Sequence, residues 1–226
     1  SVFEERAREM SSRLIYAEQE IKLLDQQSVA DGQVFEIERC RDAHRFRVQV
    51  DLAGEYQRHN VLTVAAAADY LDRHTALTIS RRAFLDGMAT AAASTSLAGR
   101  WQRLSNDPLL ICDTGHNAHG VRYVAEQLQR LVAEHPHLYC ILGFARDKQI
   151  DEVLKMFPSE AYYIFTQAST PRALEAETLA EKGRAAGLRG EVQGSVKQAL
   201  ERACELANRE DAIFIGGSNY VVAEIL

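Results

Sequence analysis

No apolar run in this 226-residue chain approaches the ~20 residues that a bilayer-spanning helix needs, so no membrane partner is expected. Positive charge is not in surplus either. The chain has 26 Lys and Arg against 32 Asp and Glu, a formal net charge of −6. A nucleic-acid-binding chain usually carries a basic excess or patch, so no nucleic-acid partner is predicted. Cysteine is sparse and scattered. Cys40, Cys112, Cys140 and Cys204 form no C-x-x-C and no Cys–His spacing of a zinc site, and no metal ligands are assigned. Cys112 and Cys140 sit inside apolar runs and read as small buried hydrophobes. Reduced thiols, with no signal segment visible, fit the cytoplasm. Three glycine signatures are also missing: the phosphate-cradling G-x-x-x-x-G-K-[ST], the dinucleotide G-x-G-x-x-G and the nucleophile elbow G-x-S-x-G.

What remains is a chain long enough to bury a real core, with the apolar and charged shares of a soluble globular protein. It falls into two regimes. The first covers residues 1 to about 97. "SVFEERAREMSSRL" opens without an initiator Met and goes straight into an amphipathic pattern, with Val2, Phe3, Ala7 and Met10 on roughly one face. Such a start suggests a fragment or a processed chain. A short strand is predicted at "RLIYA", followed by a polar stretch through Gln27 to Gly32. In "RFRVQVDLAG", Phe46, Val48 and Val50 alternate with polar residues, the period of a strand with one wet face. "QVFEIERC" is a plausible hairpin partner. "NVLTVAAAADYLDRH" predicts a helix on the spacing of Val61, Val64, Ala65 and Ala68, and "ISRRAFLDGMATA" predicts another capped by Ser80. "STSLAGRWQRLSND" reads as a linker.

In the second regime, 98–226, apolar strands alternate with amphipathic helices. The strands are "LLICD", "LYCILGF", "AYYIFTQ" and "DAIFIGG"; the helices run over about 118–133, 150–156, 172–186, 196–207 and 220–225. This pattern predicts an α/β fold, a mostly parallel Rossmann-like sheet with helices on both faces. Such sheets bind ligands beyond the carboxyl ends of their strands. Those ends read "DTGHNAHG", "GFARDKQ", "TQASTPRA" and "GGSNY". Asp113 can accept from a ribose hydroxyl or cap the following turn. Asn117 suits an N-cap, and His116 lies between the two. Lys148 stands where a helix begins, a place the helix dipole disfavours for a cation; it reads as an anion contact or a solvated side chain. Ser218 follows two glycines before a helix and reads as an anion contact or a cap.

In order, "LAGEYQRHNVLTVAAAA", "LAGRWQRL", "ICDTGHNAHG", "ILGFARDKQIDEVL" and "FIGGSNYVVAEIL" resemble the motifs of the C-terminal half of folylpolyglutamate synthases, including the bifunctional dihydrofolate synthase form, within the Mur ligase family. Thr114 and Ala118 depart from the commoner form, which has a small residue and a proline at those places. The resemblance implies an ATP-dependent, ADP-forming carboxylate–amine ligase. It would add L-glutamate to folates through an acyl phosphate, with ATP and Mg2+ as cofactors and folate or dihydropteroate, L-glutamate and ATP as small-molecule partners. It implies a monomer. Residues 1–97 would be the end portion of the central ATP-binding domain, and 98–226 the glutamate ligase domain. By the same resemblance Asn60 contacts adenine, Arg100 the ATP phosphates and Asp113 the ribose. His116 and Asn117 close over the reacting centre, and Lys148 and Ser218 line the glutamate pocket. The family's phosphate loop, Mg2+ ligands and most of its folate site lie upstream of the matched region, so these residues alone are expected to be inactive. Two alternatives stand beside this: the C-terminal half of a Mur-type peptidoglycan ligase, and a non-catalytic Rossmann-like binding domain.

Overall fold

The computed structural model describes residues 1–30, 32–146 and 150–226. They form two compact units, Ser1–Ser96 and Leu97–Leu226.

The first unit contains helices α1 (Val2–Glu9) and α2 (Ala17–Glu20), strands β1 (Ile21–Val29), β2 (Gly32–Arg39) and β3 (His44–Val50), and helices α3 (Gln57–His74), α4 (Arg81–Ala89) and α5 (Ala91–Thr95). The strands make an antiparallel sheet in the order β1-β2-β3. The expected hairpin is present, with Phe35 opposite Val48 and Ile37 opposite Phe46. Alternate residues of the sheet, Phe35, Ile37, Val48 and Val50, pack on Val61, Leu62, Ala65 and Ala66 of α3 and Met88 of α4. Ser80 caps α4, its Oγ accepting from the Ala83 N–H at 3.1 Å.

Three expectations fail here. The strand is not "RLIYA" but Ile21–Val29, which runs into the stretch read as polar. As an edge strand it holds its place by ladder hydrogen bonds to β2, buries only Ile21, and breaks register between Leu23 and Asp25, so alternation never becomes visible. Val64 lies outside the buried stripe, which follows Gln57, Val61, Leu62, Ala65 and Ala66. The apolar face of α1 buries nothing; its order comes from a capping box between Ser1 and Glu4.

The second unit runs β4 (Gln102–Asn106), β5 (Leu109–Asp113), α6 (Ala118–Glu134), β6 (Leu138–Leu142), α7 (Asp151–Leu154), β7 (Tyr162–Phe165), α8 (Ala176–Ala185), β8 (Arg189–Val192), α9 (Val196–Leu206), β9 (Ala212–Gly216) and α10 (Asn219–Ala223). Its six-stranded sheet has the order β4-β5-β9-β6-β7-β8. Only β4 is antiparallel to its neighbour. Helices cover both faces, and that explains the unbroken apolar runs. Cys140, Leu142, Tyr163, Phe165 and Phe214 pack toward α6, α7 and α8. Cys112, Ile141, Ile164, Ile213 and Ile215 pack toward α9 and α10. Cys112 and Cys140 are fully buried, as expected.

Two strands were not anticipated. β4 lies inside the supposed linker, and β8 is the polar "RGEV"; both are sheet edges. Two helices are shorter than predicted. α7 is a single turn, and α8 starts at Ala176 because the segment before it pairs with the chain after β6 through a bridge between Ala145 and Ala173.

Candidate functional site

Parallel pairing sets Asp113, Gly216 and Leu142 side by side at the carboxyl ends of β5, β9 and β6. The strand order reverses here, because β9 inserts between β5 and β6 after the chain has travelled out to β8. A crevice outside such a reversal is where an open α/β sheet takes its ligands.

Asp113 organises the near side of this edge. It is 1% exposed, and both carboxylate oxygens accept from backbone. The Gly115 N–H donates to Oδ1 at 2.7 Å and the Trp101 N–H to Oδ2 at 2.8 Å. The Thr114 N–H donates to the Gly99 carbonyl at 2.9 Å, and the Gly99 N–H to Gln102 Oε1 at 2.8 Å. The segment before β4 is thereby fastened to the loop after β5. Gly99 sits at φ +71°, and a Cβ there would meet Thr114 Cγ2 at 2.7 Å, so only glycine fits. Trp101 also takes a left-handed conformation, φ 50°, with its ring 5.7 Å from that of Phe214. Between these two anchored residues stands Arg100. Its side chain is exposed, and no hydrogen bond or ion pair to it occurs among the described residues. A guanidinium presented this way suits an anionic ligand.

His116 is half-buried, with Nδ1 2.9 Å from the Thr114 carbonyl. A carbonyl only accepts, so the proton is on Nδ1 and Nε2 points away from that bond. Asn117 caps α6, its Oδ1 accepting from the Gly120 N–H at 2.9 Å, which leaves its amide nitrogen to donate elsewhere. On the neighbouring strand end, Ser218 is 5% exposed and caps α10, accepting from the Tyr220 N–H at 3.2 Å. Gly217 before it holds φ +91° with the Gly143 carbonyl and the Phe144 ring packed where a Cβ would be.

Of the residues singled out in the sequence, Arg100, Asp113, His116 and Asn117 thus meet at one loop junction, with Ser218 one strand along the same edge. Asn60 belongs to the first unit, in the first turn of α3, where its Nδ2 donates to Oε1 of the buried Gln57 at 2.7 Å. Lys148 lies outside the described residues. Of the two readings of Asp113, the structure displays the turn cap. What sequence reasoning missed is that this one carboxylate also holds the Arg100 loop; the only hint was the pairing of "GRW" with "DTG". Among the described residues no three of His, Cys, Asp and Glu are grouped as a metal ion would need. A separate cavity of about 430 Å³ opens at the opposite, amino-terminal ends of β6 and β7, beside His135, His137, Tyr139 and Tyr162. Its two histidines are committed to the Glu210 carbonyl and the Asp211 carboxylate.

Fold and edge together define a Rossmann-like α/β unit whose ligand-facing loops converge at a strand-order reversal. Residues 99–219 match the family described as Mur ligase, glutamate ligase domain, and the chain belongs to that family. Among curated relatives, the dihydrofolate synthase/folylpolyglutamate synthase of Escherichia coli is 31% identical over 170 residues, 74% of this chain and 37% of the relative. A probable bifunctional folylpolyglutamate synthase/dihydropteroate synthase of Haloferax volcanii is 29% identical over 184 residues, 81% of this chain and 21% of the relative. The structure of E. coli FolC in complex with ADP, without folate substrate, superposes with a TM-score of 0.74 at 25% identity, covering 100% of this chain and 50% of that one. The chain therefore spans about half the length of that solved structure and less of the curated relatives.

Proposed function

We propose that this chain supplies the glutamate-accepting part of an ATP-dependent ligase that adds L-glutamate to folates. The observation that carries the reading is the fastening of the Arg100 loop onto Asp113 inside the segment that matches the glutamate ligase domain. It places an uncommitted cation, a buried carboxylate, an imidazole and an amide at one junction. The chemistry suited to them is phosphoryl transfer to a folate carboxylate, followed by attack of glutamate's α-amine on the acyl phosphate. Arg100 neutralises phosphate charge. Asp113 receives a ribose hydroxyl. His116 Nε2 and the Asn117 amide face the reacting groups. Ser218, together with Lys148, contacts the incoming amino acid, and Asn60 contacts the adenine. In such a reaction the protein's work is positioning and electrostatic stabilisation. Mg2+, when bound, neutralises phosphate charge; the described residues offer it no cluster of their own, so no step is assigned through it. Residues 1–97 are read as the end portion of the central ATP-binding domain and 98–226 as the glutamate ligase domain.

The test is glutamate-dependent ADP release by the complete gene product with dihydropteroate or a folate. Arg100→Ala, Asp113→Ala and His116→Ala should each lower turnover by at least about 100-fold, the scale for a charge-stabilising group. A non-catalytic binding domain would leave all three near the unsubstituted rate. The 226 residues alone contain no G-x-x-x-x-G-K-[ST] and should release no ADP, while calorimetry should detect weak ATP binding by them.

A further inference from the structure

The cavity at the amino-terminal ends of β6 and β7 takes no part in the chemistry proposed above, since it opens at the end of the sheet opposite the candidate site. Its volume of about 430 Å³ is that of a small-molecule pocket. Leu138 and Leu206 give it apolar walls, and Tyr139 and Tyr162 give it aromatic ones. The two tyrosines are cross-strand partners whose rings meet edge to face, 6.2 Å between centres. Their hydroxyls are engaged elsewhere: Tyr139 donates to the Leu206 carbonyl at 3.2 Å and Tyr162 to the Glu191 carboxylate at 3.3 Å. What they offer a ligand is ring surface, which is negative on its face.

The other polar side chains of the lining accept. His135 Nδ1 is 2.7 Å from the Glu210 carbonyl, and His137 Nδ1 is 3.0 Å from the Asp211 carboxylate. Both partners are acceptors, so each ring carries its proton on Nδ1 and, when neutral, a lone pair on Nε2. Glu160 is exposed, and its carboxylate receives one hydrogen bond, from the Ser159 hydroxyl at 3.3 Å. Among the described residues no lysine or arginine lines the cavity. Arg202, which approaches Tyr162, is taken up by Glu191 and Glu205.

Two helices also stop here. Val132 lies in the last turn of α6 and His135 caps it, while Leu206 is the last residue of α9. The last carbonyls of a helix act as about half a negative charge and favour a cation beside them. Neither helix has a basic residue in its last turn, and α6 ends on Glu134. Two helix ends, a carboxylate, imidazole lone pairs and two aromatic rings thus converge, and the lining supplies no cation to meet them. The described residues group no three of His, Cys, Asp and Glu as a metal ion would need, and the apolar walls suit a ligand with a hydrocarbon or ring body.

We infer that this cavity binds a small organic cation, an ammonium or guanidinium group on an apolar body, at a site separate from the ligase edge. The body lies against Leu138 and Leu206, the charge lies over the tyrosine rings, and its N–H groups donate to Glu160 and the imidazoles. The assignment stands independently of the ligase reading.

Calorimetry on the complete gene product tests it with benzylammonium and butylguanidinium, benzyl alcohol as the neutral counterpart and Ni2+ as the metal probe. At least one organic cation should bind saturably, one per chain, and about tenfold or more tighter than the alcohol. Glu160→Gln and Tyr162→Leu, both at exposed positions, should each weaken the cation about threefold and together about tenfold, with ATP affinity unchanged. Unchanged circular dichroism shows that the variants are folded, and the comparison of cation with alcohol needs no variant. Cations that bind no better than the alcohol overturn the assignment, as does a double variant that holds the cation as tightly as the unsubstituted protein. Binding of Ni2+ alone overturns it in favour of a two-histidine metal site, and cation binding that ATP abolishes overturns the separate location.

Discussion

Replacing Asp113 by alanine tests the central claim about the site, that one carboxylate ties two loops together. The substitution removes two charge-assisted hydrogen bonds, at 2.7 and 2.8 Å, and strands the N–H groups of Gly115 and Trp101. A hydrogen bond to a charged group contributes about 1.5–3 kcal/mol, and the half-exposed loop recovers some of that from water. The expected loss is therefore about 3–4 kcal/mol. Asp113→Asn keeps one acceptor and turns an amide N–H toward the other donor, for about half that loss. Trp101, the chain's single tryptophan, donates one of the two bonds and lies beside Phe214, so its fluorescence reports the junction directly. Urea unfolding followed at Trp101 should show a lower midpoint for both variants, and a red shift of native emission for the alanine. A loss under about 1 kcal/mol with unchanged emission would refute the reasoning: the carboxylate would then be held for a ligand, not for the loops. The same measurement decides how any loss of activity in Asp113→Ala is read.

Three further outcomes follow from other parts of the fold. Gly217→Ala places a Cβ 2.8 Å from the Gly143 carbonyl at φ +91°, and thermal unfolding should show a loss of about 2–4 kcal/mol. Burial raises the Asp211 carboxyl, but hydrogen bonds from the Asn208 backbone and His137 outweigh it and leave the pKa below its ordinary value. The stability this gives is present above an unfolded pKa near ~3.9 and is lost as pH falls through the lower folded value, so the stability gap between the unsubstituted chain and Asp211→Asn should close below about pH 4. Burial, with Asp113 beside it, pushes the Cys112 thiol up to about 12, and burial drives Cys140 upward too. A thiol reagent at pH 8 should therefore label exposed Cys204 first and reach Cys112 and Cys140 only on unfolding; early labelling of Cys112 would contradict the packing.

The four central strands of the second unit were legible because burial on both faces demands unbroken apolar runs, as in "LLICD" and "DAIFIGG". Edges escaped. β1, β4 and β8 owe their existence to a neighbour's ladder, and ladder hydrogen bonds leave no mark on side-chain identity. Val64 misled because alanine-rich α3 carries apolar residues on more than one face, so spacing alone did not single out the buried stripe. At the candidate site, residue types at strand ends pointed to Asp113, Asn117 and Ser218, and both caps are formed. The fastening of Gly99 and Trp101 to the Asp113 loop was not readable, since it joins backbone groups that any residue would offer.

The placement of β9 has a consequence for how this unit comes into being. The strand at the middle of the sheet is the last one made: residues 212–216 pair with Leu109–Asp113 on one side and Leu138–Leu142 on the other. A ribosome that has delivered everything up to α9 has delivered two half-sheets with nothing between them, each showing an apolar strand edge that invites wrong partners. Closure waits for a contact that spans about a hundred residues, the kind of long-range pairing that slows folding. The keystone arrives last, and the edge that carries the candidate site does not exist until it does.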